Sequence, residues 1–283
     1  GVVTAPPILI DTKLLIATSN GLFNYIDFKT GEVENKAVAA NGGTVVWCAI
    51  QNDNWASGMS IVGSNTRFLK GWEQLKVTSI IGQTKDVRPL GALVWSAGCI
   101  MTRRNKFPVM LDTKEDKIVS EPNRAWSNGE ATAPLINSGS AFWIATSKGE
   151  LVSFDTNLTT VDTVIKLDRS FATAIGSEGV NLYALTAGKE LIAYDTTTST
   201  VKWKVKVEGL GVDSIVCEAG LIYVNAGSFY VINGKDGGIL LERKSISYEG
   251  FMRTKPLLTD KRVFSCDSEG NLYIFNKSNL NMI

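Results

Sequence analysis

Any chemistry in this protein has to come from side chains other than histidine, because the sequence contains none. That removes Ser-His-Asp and Cys-His mechanisms, and with them the commonest metal ligand and general base. Four carboxylates, Asp11, Asp53, Asp213 and Asp260, sit at or near turns. A glycosidase needs two carboxylates opposed across a cleft, but the offsets of these four differ, so they read as turn formers. Asn52-Asp53-Asn54 begins like a calcium loop but lacks the Gly and distal Glu that an EF-hand requires. Lys29-Thr30-Gly31 and Lys148-Gly149-Glu150 are hairpin turns, since no phosphate loop of the G-x-x-x-x-G-K type occurs. Cys48, Cys99, Cys217 and Cys266 lie far apart in apolar runs and form no C-x-x-C pair, so they read as small buried thiols, not as a disulfide or metal framework. The sequons Asn157-Leu158-Thr159 and Asn276-Lys277-Ser278 matter only in an exported protein. No catalytic residue, cofactor or metal site is assigned, and the chain reads as a non-enzyme.

The elements that would position any site belong to an ordinary globular chain. Its 283 residues are 44% hydrophobic and 20% charged, and 29 basic against 28 acidic side chains leave a formal charge of +1. Disorder is excluded, as is whole-surface attraction to nucleic acid. The longest apolar runs fall far short of the roughly 20 residues that a bilayer helix needs, so no membrane span is expected. The chain opens Gly1-Val2-Val3-Thr4 with neither Met nor a leader pattern, as a trimmed product or a fragment does. Unpaired thiols suit a reducing, intracellular compartment, and an exported location stays open.

The sequence repeats. Ala5-Pro6-Pro7-Ile8-Leu9-Ile10, Leu14-Leu15-Ile16-Ala17-Thr18-Ser19-Asn20-Gly21 and Leu22-Phe23-Asn24-Tyr25-Ile26-Asp27 return as Ala133-Pro134-Leu135-Ile136, Phe142-Trp143-Ile144-Ala145-Thr146-Ser147-Lys148-Gly149 and Leu151-Val152-Ser153-Phe154-Asp155. Further copies close at Asp195, Asn233 and Asn276, and two weaker ones at Lys70 and Asp112. The seven closing residues are spaced 43, 42, 43, 40, 38 and 43 apart, in the range of a propeller blade. Each unit holds short runs rich in Val, Ile, Tyr and Phe between Gly, Asn and Asp, with no helical spacing. The expected fold is all-β: one domain over residues 1–283, a seven-bladed β-propeller of four-stranded antiparallel blades near 2–38, 45–80, 88–120, 133–167, 173–207, 214–245 and 255–283. The closing Asp or Asn is expected to bond the backbone of its own turn. The last blade reaches Ile283 just where its fourth strand begins, so either Gly1–Thr4 and Asn281–Ile283 pair to fasten the ring or the chain is cut from something longer.

There is no Gly-His and no Trp-Asp dipeptide, which sets WD repeats aside. Ala193-Tyr194-Asp195-Thr196-Thr197-Thr198-Ser199 with Trp203 instead resembles the pyrroloquinoline-quinone-like repeat, Ala-x-Asp-x-x-Thr-Gly-x-x-x-Trp, with Ser199 in the glycine place. Asp27-Phe28-Lys29-Thr30-Gly31 matches the turn, though Asn35 holds the tryptophan place, and Asn233 with Asp236-Gly237 is looser. The resemblance covers nearly the whole chain as a rhythm. It implies that Trp203 docks between adjacent blades. Quinone dehydrogenases of this kind have eight blades and commonly adjacent cysteines, which this chain lacks, so the resemblance points to the non-catalytic class that includes the outer-membrane-assembly propeller lipoprotein.

Function in a repeat scaffold is sought where the repeat breaks. The turn between the second and third strands of the third blade enlarges to Arg103-Arg104-Asn105-Lys106, and the link into the fourth blade carries Arg124 and Trp126. The link into the seventh carries Tyr248, Phe251 and Arg253, while Lys148, Arg169, Phe171 and Lys189 occupy corresponding loops. In a four-stranded blade these turns and links emerge on one face, and their residue types are those enriched at interface hot spots. Between Ile61 and Leu111, Arg67, Lys70, Lys76, Lys85, Arg88, Arg103, Arg104 and Lys106 face only Glu73 and Asp86. The expected function is a non-enzymatic scaffold that docks a partner protein with an acidic or aromatic-accepting segment inside a larger assembly; nucleic acid is the less favoured partner. The alternatives are a virion or cell-surface structural component and a glycan hydrolase using the axial funnel.

Overall fold

The computed structural model describes residues 129–283 apart from 169, 212–213 and 253–254; before residue 129 it describes the strand backbones with the adjoining residues 29–32 and 108. The chain divides into two compact units, residues 1–126 with 157–160 and residues 127–156 with 161–283. Among the described residues there is no helix, and the strands form seven antiparallel sheets, each a meander in chain order.

The first unit holds three four-stranded sheets. Their strands are Ile8–Ile10, Lys13–Ala17, Leu22–Asp27 and Val33–Ala37; Thr44–Asn52, Trp55–Val62, Asn65–Lys70 and Lys76–Thr78; and Pro89–Trp95, Gly98–Arg103, Val109–Asp112 and Lys117–Ser120. The second unit holds the fourth sheet (Ile136–Ser138, Ala141–Thr146, Glu150–Phe154, Val161–Lys166), the fifth (Ala172–Glu178, Asn181–Thr186, Glu190–Asp195, Thr200–Lys206) and the sixth (Ile215–Glu218, Leu221–Ala226, Ser228–Asn233, Ile239–Arg243). The seventh sheet has three strands, Leu257–Leu258, Arg262–Cys266 and Leu272–Asn276. Six of the seven closing residues end a third strand, and Asp155 follows one directly.

Burial in the second unit explains why the middle strands read as unbroken apolar runs. Leu182, Tyr183, Ala184 and Leu185 are buried in succession because the fourth and sixth sheets cover the two faces of the fifth. Trp143, Ala145 and Leu151 of the fourth sheet pack on Ile175, Leu182 and Tyr194 of the fifth. Tyr183, Leu185 and Leu191 of the fifth pack with Ile215, Val224 and Tyr230 of the sixth. Tyr223, Phe229 and Val231 meet Val263, Tyr273 and Phe275 of the seventh, with the rings of Phe229 and Phe275 stacked at 4.9 Å. Each fourth strand is half exposed and alternates, as an outer strand does.

Four of the turns that follow third strands repeat one local chemistry. The carboxylate of Asp27 accepts the N–H groups of Lys29 and Thr30 at 2.8 and 3.1 Å, and that of Asp195 those of Thr197 and Thr198 at 2.9 and 3.3 Å. The side-chain oxygens of Asn233 and Asn276 accept from Lys235 and Ser278 in the same way. Four residues past the closing position the backbone turns left-handed, at Gly31 (φ 74°), Ser199 (φ 55°), Gly237 (φ 78°) and Leu280 (φ 59°). The turn after Asn276 thus matches those of complete sheets, and it delivers Met282 to pair with Phe275. Gly1–Thr4 lie outside the described residues.

Ser199 holds a conformation that costs an L-residue roughly 1–2 kcal/mol, and glycine relieves it at a penalty of roughly 0.5–1 kcal/mol in the unfolded chain. Ser199→Gly is therefore expected to stabilise the protein by about 0.5–1 kcal/mol. Urea unfolding checks this as a higher midpoint at unchanged slope; a lower midpoint would show that the serine side chain contributes more than the strain it causes.

Trp203 docks between sheets. Its indole N–H donates to the carbonyl of Gly234 in the sixth sheet at 3.0 Å, and its ring lies against Gly237, where a Cβ would come within 2.8 Å of two ring carbons. The Tyr183 ring is tilted against the Trp203 ring, with 5.8 Å between centroids. One expectation fails: Cys266 is exposed, because Val263 and Ser265 take the buried face of its strand and leave Arg262 and Cys266 on the other. Cys217 is half-buried, and burial, followed by the nearby Glu178 charge, pushes its thiol up to about 12.

A candidate protein-docking face

In the second unit the turns between second and third strands and the links between sheets are hydrogen-bonded into one belt. Ser147 N–H donates to the Glu130 carbonyl at 2.7 Å, and Leu167 N–H to that of Gly149 at 2.7 Å. Ala187 N–H reaches the Phe171 carbonyl at 2.8 Å, and Gly188 N–H the Ser170 hydroxyl at 3.1 Å. Val207 N–H bonds the Lys189 carbonyl at 3.0 Å, Gly227 and Met252 exchange two bonds, and Ser268 N–H reaches the Phe251 carbonyl at 3.0 Å. The backbones of Gly209 and Gly227 approach so closely that a Cβ on Gly209 would lie 2.8 Å from the Gly227 Cα, which keeps link and turn in contact.

Two knots of charge tie the belt to the sheets. Glu208, on the link between the fifth and sixth sheets, accepts the Ser228 hydroxyl at 2.6 Å and pairs with Lys244. The Lys244 ammonium and then the Ser228 hydroxyl hold the Glu208 carboxyl below its ordinary range, and the same contact raises Lys244. Tyr230 receives the Glu208 N–H at 3.0 Å and donates to Glu242 at 3.2 Å; burial pushes its hydroxyl up to about 12. Asp168 and Lys204 repeat the acid–base relation one sheet earlier at 3.2 Å.

The second knot centres on Asp267, which is buried. Its carboxylate accepts the Ser245 hydroxyl at 2.6 Å, the Tyr273 hydroxyl at 2.8 Å and the Asn271 amide at 2.9 Å, with the N–H groups of Glu269 and Asn271 at 3.0 and 2.9 Å. Burial opposes its ionisation, but the side-chain donors outweigh burial and hold the carboxyl well below the usual range. Around the two knots runs a groove of about 490 Å³ lined by Glu208, Ser228, Lys244, Ser245, Ser247 and Tyr248 among others.

Of the sequence-assigned face, Lys148, Phe171, Tyr248 and Phe251 are exposed on this belt, Phe171 and Phe251 at 38% each and Tyr248 fully. Arg103 closes a second strand instead of entering the turn, and its side chain lies outside the described residues. Arg104, Lys106, Arg124, Trp126, Arg169 and Arg253 lie outside them too. Sequence reasoning missed Asp267 and its donors. The available signal was the turn Asp267-Ser268-Glu269-Gly270-Asn271, two residues longer than Ser147-Lys148-Gly149. Among the described residues no group of three or more Cys, Asp or Glu is placed to hold a metal ion, and no helix is long and apolar enough to cross a membrane.

A family model described as outer membrane protein assembly factor BamB matches residues 127–279, just over half of the 283 residues. The chain belongs to the BamB family. Its fold is the all-β propeller that the repeat predicted, with four-stranded antiparallel sheets except for the three-stranded seventh. The crystal structure of BamB from Moraxella catarrhalis is similar at a TM-score of 0.73 and 17% identity, covering 96% of this BamB-family chain and 82% of that one. The computationally designed Ika8 protein is similar at 0.79 and 12% identity, covering 100% and 86%. No curated protein matches the sequence.

Proposed function

We propose that this BamB-family chain is a non-enzymatic scaffold that docks a partner protein on the belt of turns and links, within a larger assembly. The observation that carries the reading is the exposure of Phe171, Tyr248 and Phe251 on a belt whose backbone is held by hydrogen bonds. Aromatic rings on a rigid surface lose little freedom on binding and are the residue types that dominate interface energies. The family description as an assembly factor agrees with this reading. Lys148 stands on the same belt, and Arg103, Arg104, Lys106, Arg124, Trp126, Arg169 and Arg253 are proposed as further partner contacts by residue type.

The test places a photo-cross-linking phenylalanine analogue at Phe171 and, as a control, at the exposed Ile239 of an outer strand. A discrete adduct from Phe171 alone is expected, with the partner identified by mass. With that partner purified, Phe171→Ala and, separately, Arg104→Glu with Trp126→Ala are each expected to weaken affinity by about 30-fold while melting is unchanged. Adducts from Ile239 and none from Phe171 would move the partner to the sheet edges and reject the face.

A further inference from the structure

We propose that the link around Tyr248 is a preformed anchor for the partner, and that Asp267 is the positioning residue that holds it in place; this rests on the docking reading above. Tyr248 and Glu249 form the tip of a turn closed by the Gly250 N–H donating to the Ser247 carbonyl at 3.1 Å. A fully exposed tyrosine on a surface turn would ordinarily be mobile. Here the turn is fastened on both sides. Before it, Ser245 donates to Asp267, and Ile246 N–H donates to the Tyr273 hydroxyl at 2.7 Å, itself bonded to Asp267. At its base the Ser247 hydroxyl accepts the Asn271 amide at 2.9 Å, while that same amide group also donates to Asp267. After it, Phe251 N–H donates to Ser268 at 3.3 Å, and Met252 pairs with Gly227. Gly250 closes the gap: a Cβ there would meet the Ser245 Oγ and Cβ, so the turn folds tightly over the residue that Asp267 grips.

One ionised carboxylate thus fixes three donors that carry the link, and the ring it presents has no apolar cover. The partner that fits is a protein surface with an apolar pocket deep enough for a phenol and a single basic group at its edge. That basic group follows from Glu249, which is exposed beside Tyr248 and makes no ion pair among the described residues, while Lys244 is already engaged by Glu208. An aromatic on a fastened backbone with a charged neighbour is the arrangement that places binding energy in one residue and steering in the next.

Limited chymotrypsin digestion of the full chain tests the positioning without any partner. Cleavage after Tyr248 needs several residues of the link to come free, so the native protein is cut slowly there. Asp267→Asn is expected to speed that cut at least tenfold, with cleavage after the exposed Phe171 as internal reference. Equal acceleration at both sites reports global loosening and overturns the positioning role, as does no change at Tyr248. Ser245→Ala, which leaves the carboxylate intact, should act in the same direction more weakly and serves where Asp267→Asn does not fold. The anchor is tested with the partner identified through the Phe171 cross-link. Tyr248→Ala should weaken affinity about 30-fold, and Glu249→Lys should weaken it while reversing its dependence on salt. Unchanged affinity for Tyr248→Ala, with Phe171→Ala still weak, removes the anchor and leaves the docking face standing; unchanged affinity for both removes the face.

Discussion

Gly237→Ala is expected to destabilise the protein by about 2–4 kcal/mol, the sum of a net backbone cost and a packing cost. The left-handed conformation at φ 78° costs an alanine roughly 1–2 kcal/mol, of which roughly 0.5–1 is offset by the stiffer unfolded chain. The new methyl would also sit 2.8 Å from the Cδ2 and Cε3 atoms of Trp203. The ring has little room to retreat, because its N–H is bonded to the Gly234 carbonyl and Tyr183 stands 5.8 Å away. Overpacking of that kind costs roughly 1–3 kcal/mol. Trp203→Ala removes the ring instead; since the indole is half-buried, the loss is about 2–4 kcal/mol, below the cost of a fully buried tryptophan. The two changes share one contact, so the double variant should lose about 1–2 kcal/mol less than the sum of the singles. Urea denaturation of the four proteins decides the matter, and strict additivity would mean that ring and glycine do not touch.

Asp267→Ala is the second large effect, a loss of about 3–4 kcal/mol, because the buried Tyr273 donor and the half-buried Ser245 and Asn271 donors lose a charged acceptor together. The same carboxylate gives stability a pH dependence of definite sign. Its folded pKa lies below the ordinary value of roughly 3.9 that applies in the unfolded chain. On acidification the unfolded state therefore takes up the proton first. The contribution is fully present above that ordinary range and is lost as pH falls through it toward the folded value. Stability of the native protein should accordingly fall more steeply below about pH 4 than that of Asp267→Asn, which has no proton to gain there. Parallel curves for the two proteins between neutral pH and strong acid would show that the carboxylate is not held as the structure has it.

The parts of this molecule that could be read in the sequence are those whose cause is local. Asp27, Asp195, Asn233 and Asn276 announce the turn because a short polar side chain bonds the backbone two residues on, whatever lies elsewhere. The docking of Trp203 between sheets is what the resemblance of Ala193 through Trp203 to the pyrroloquinoline-quinone-like repeat implies, and that motif lies within one turn and one strand. The fastening of the links was not legible. Asp267 resembles any turn aspartate, and only the approach of Ser245 and Tyr273, 22 and 6 residues distant, turns it into a buried acceptor of several bonds. Cys266 was misread for a related reason: an apolar run does not say which of its alternating faces a neighbour covers.

The acid–base pairs that tie links to sheets also bear on how such a chain can change by duplication. Asp168 with Lys204 and Glu208 with Lys244 both span 36 residues, and successive acids stand 40 apart. A recombination event that copies one such 40-residue length copies an acid reaching forward and a lysine reaching back. The inserted unit then finds a partner on each side without further substitution, and its register is set by charge before drift has adjusted any apolar contact.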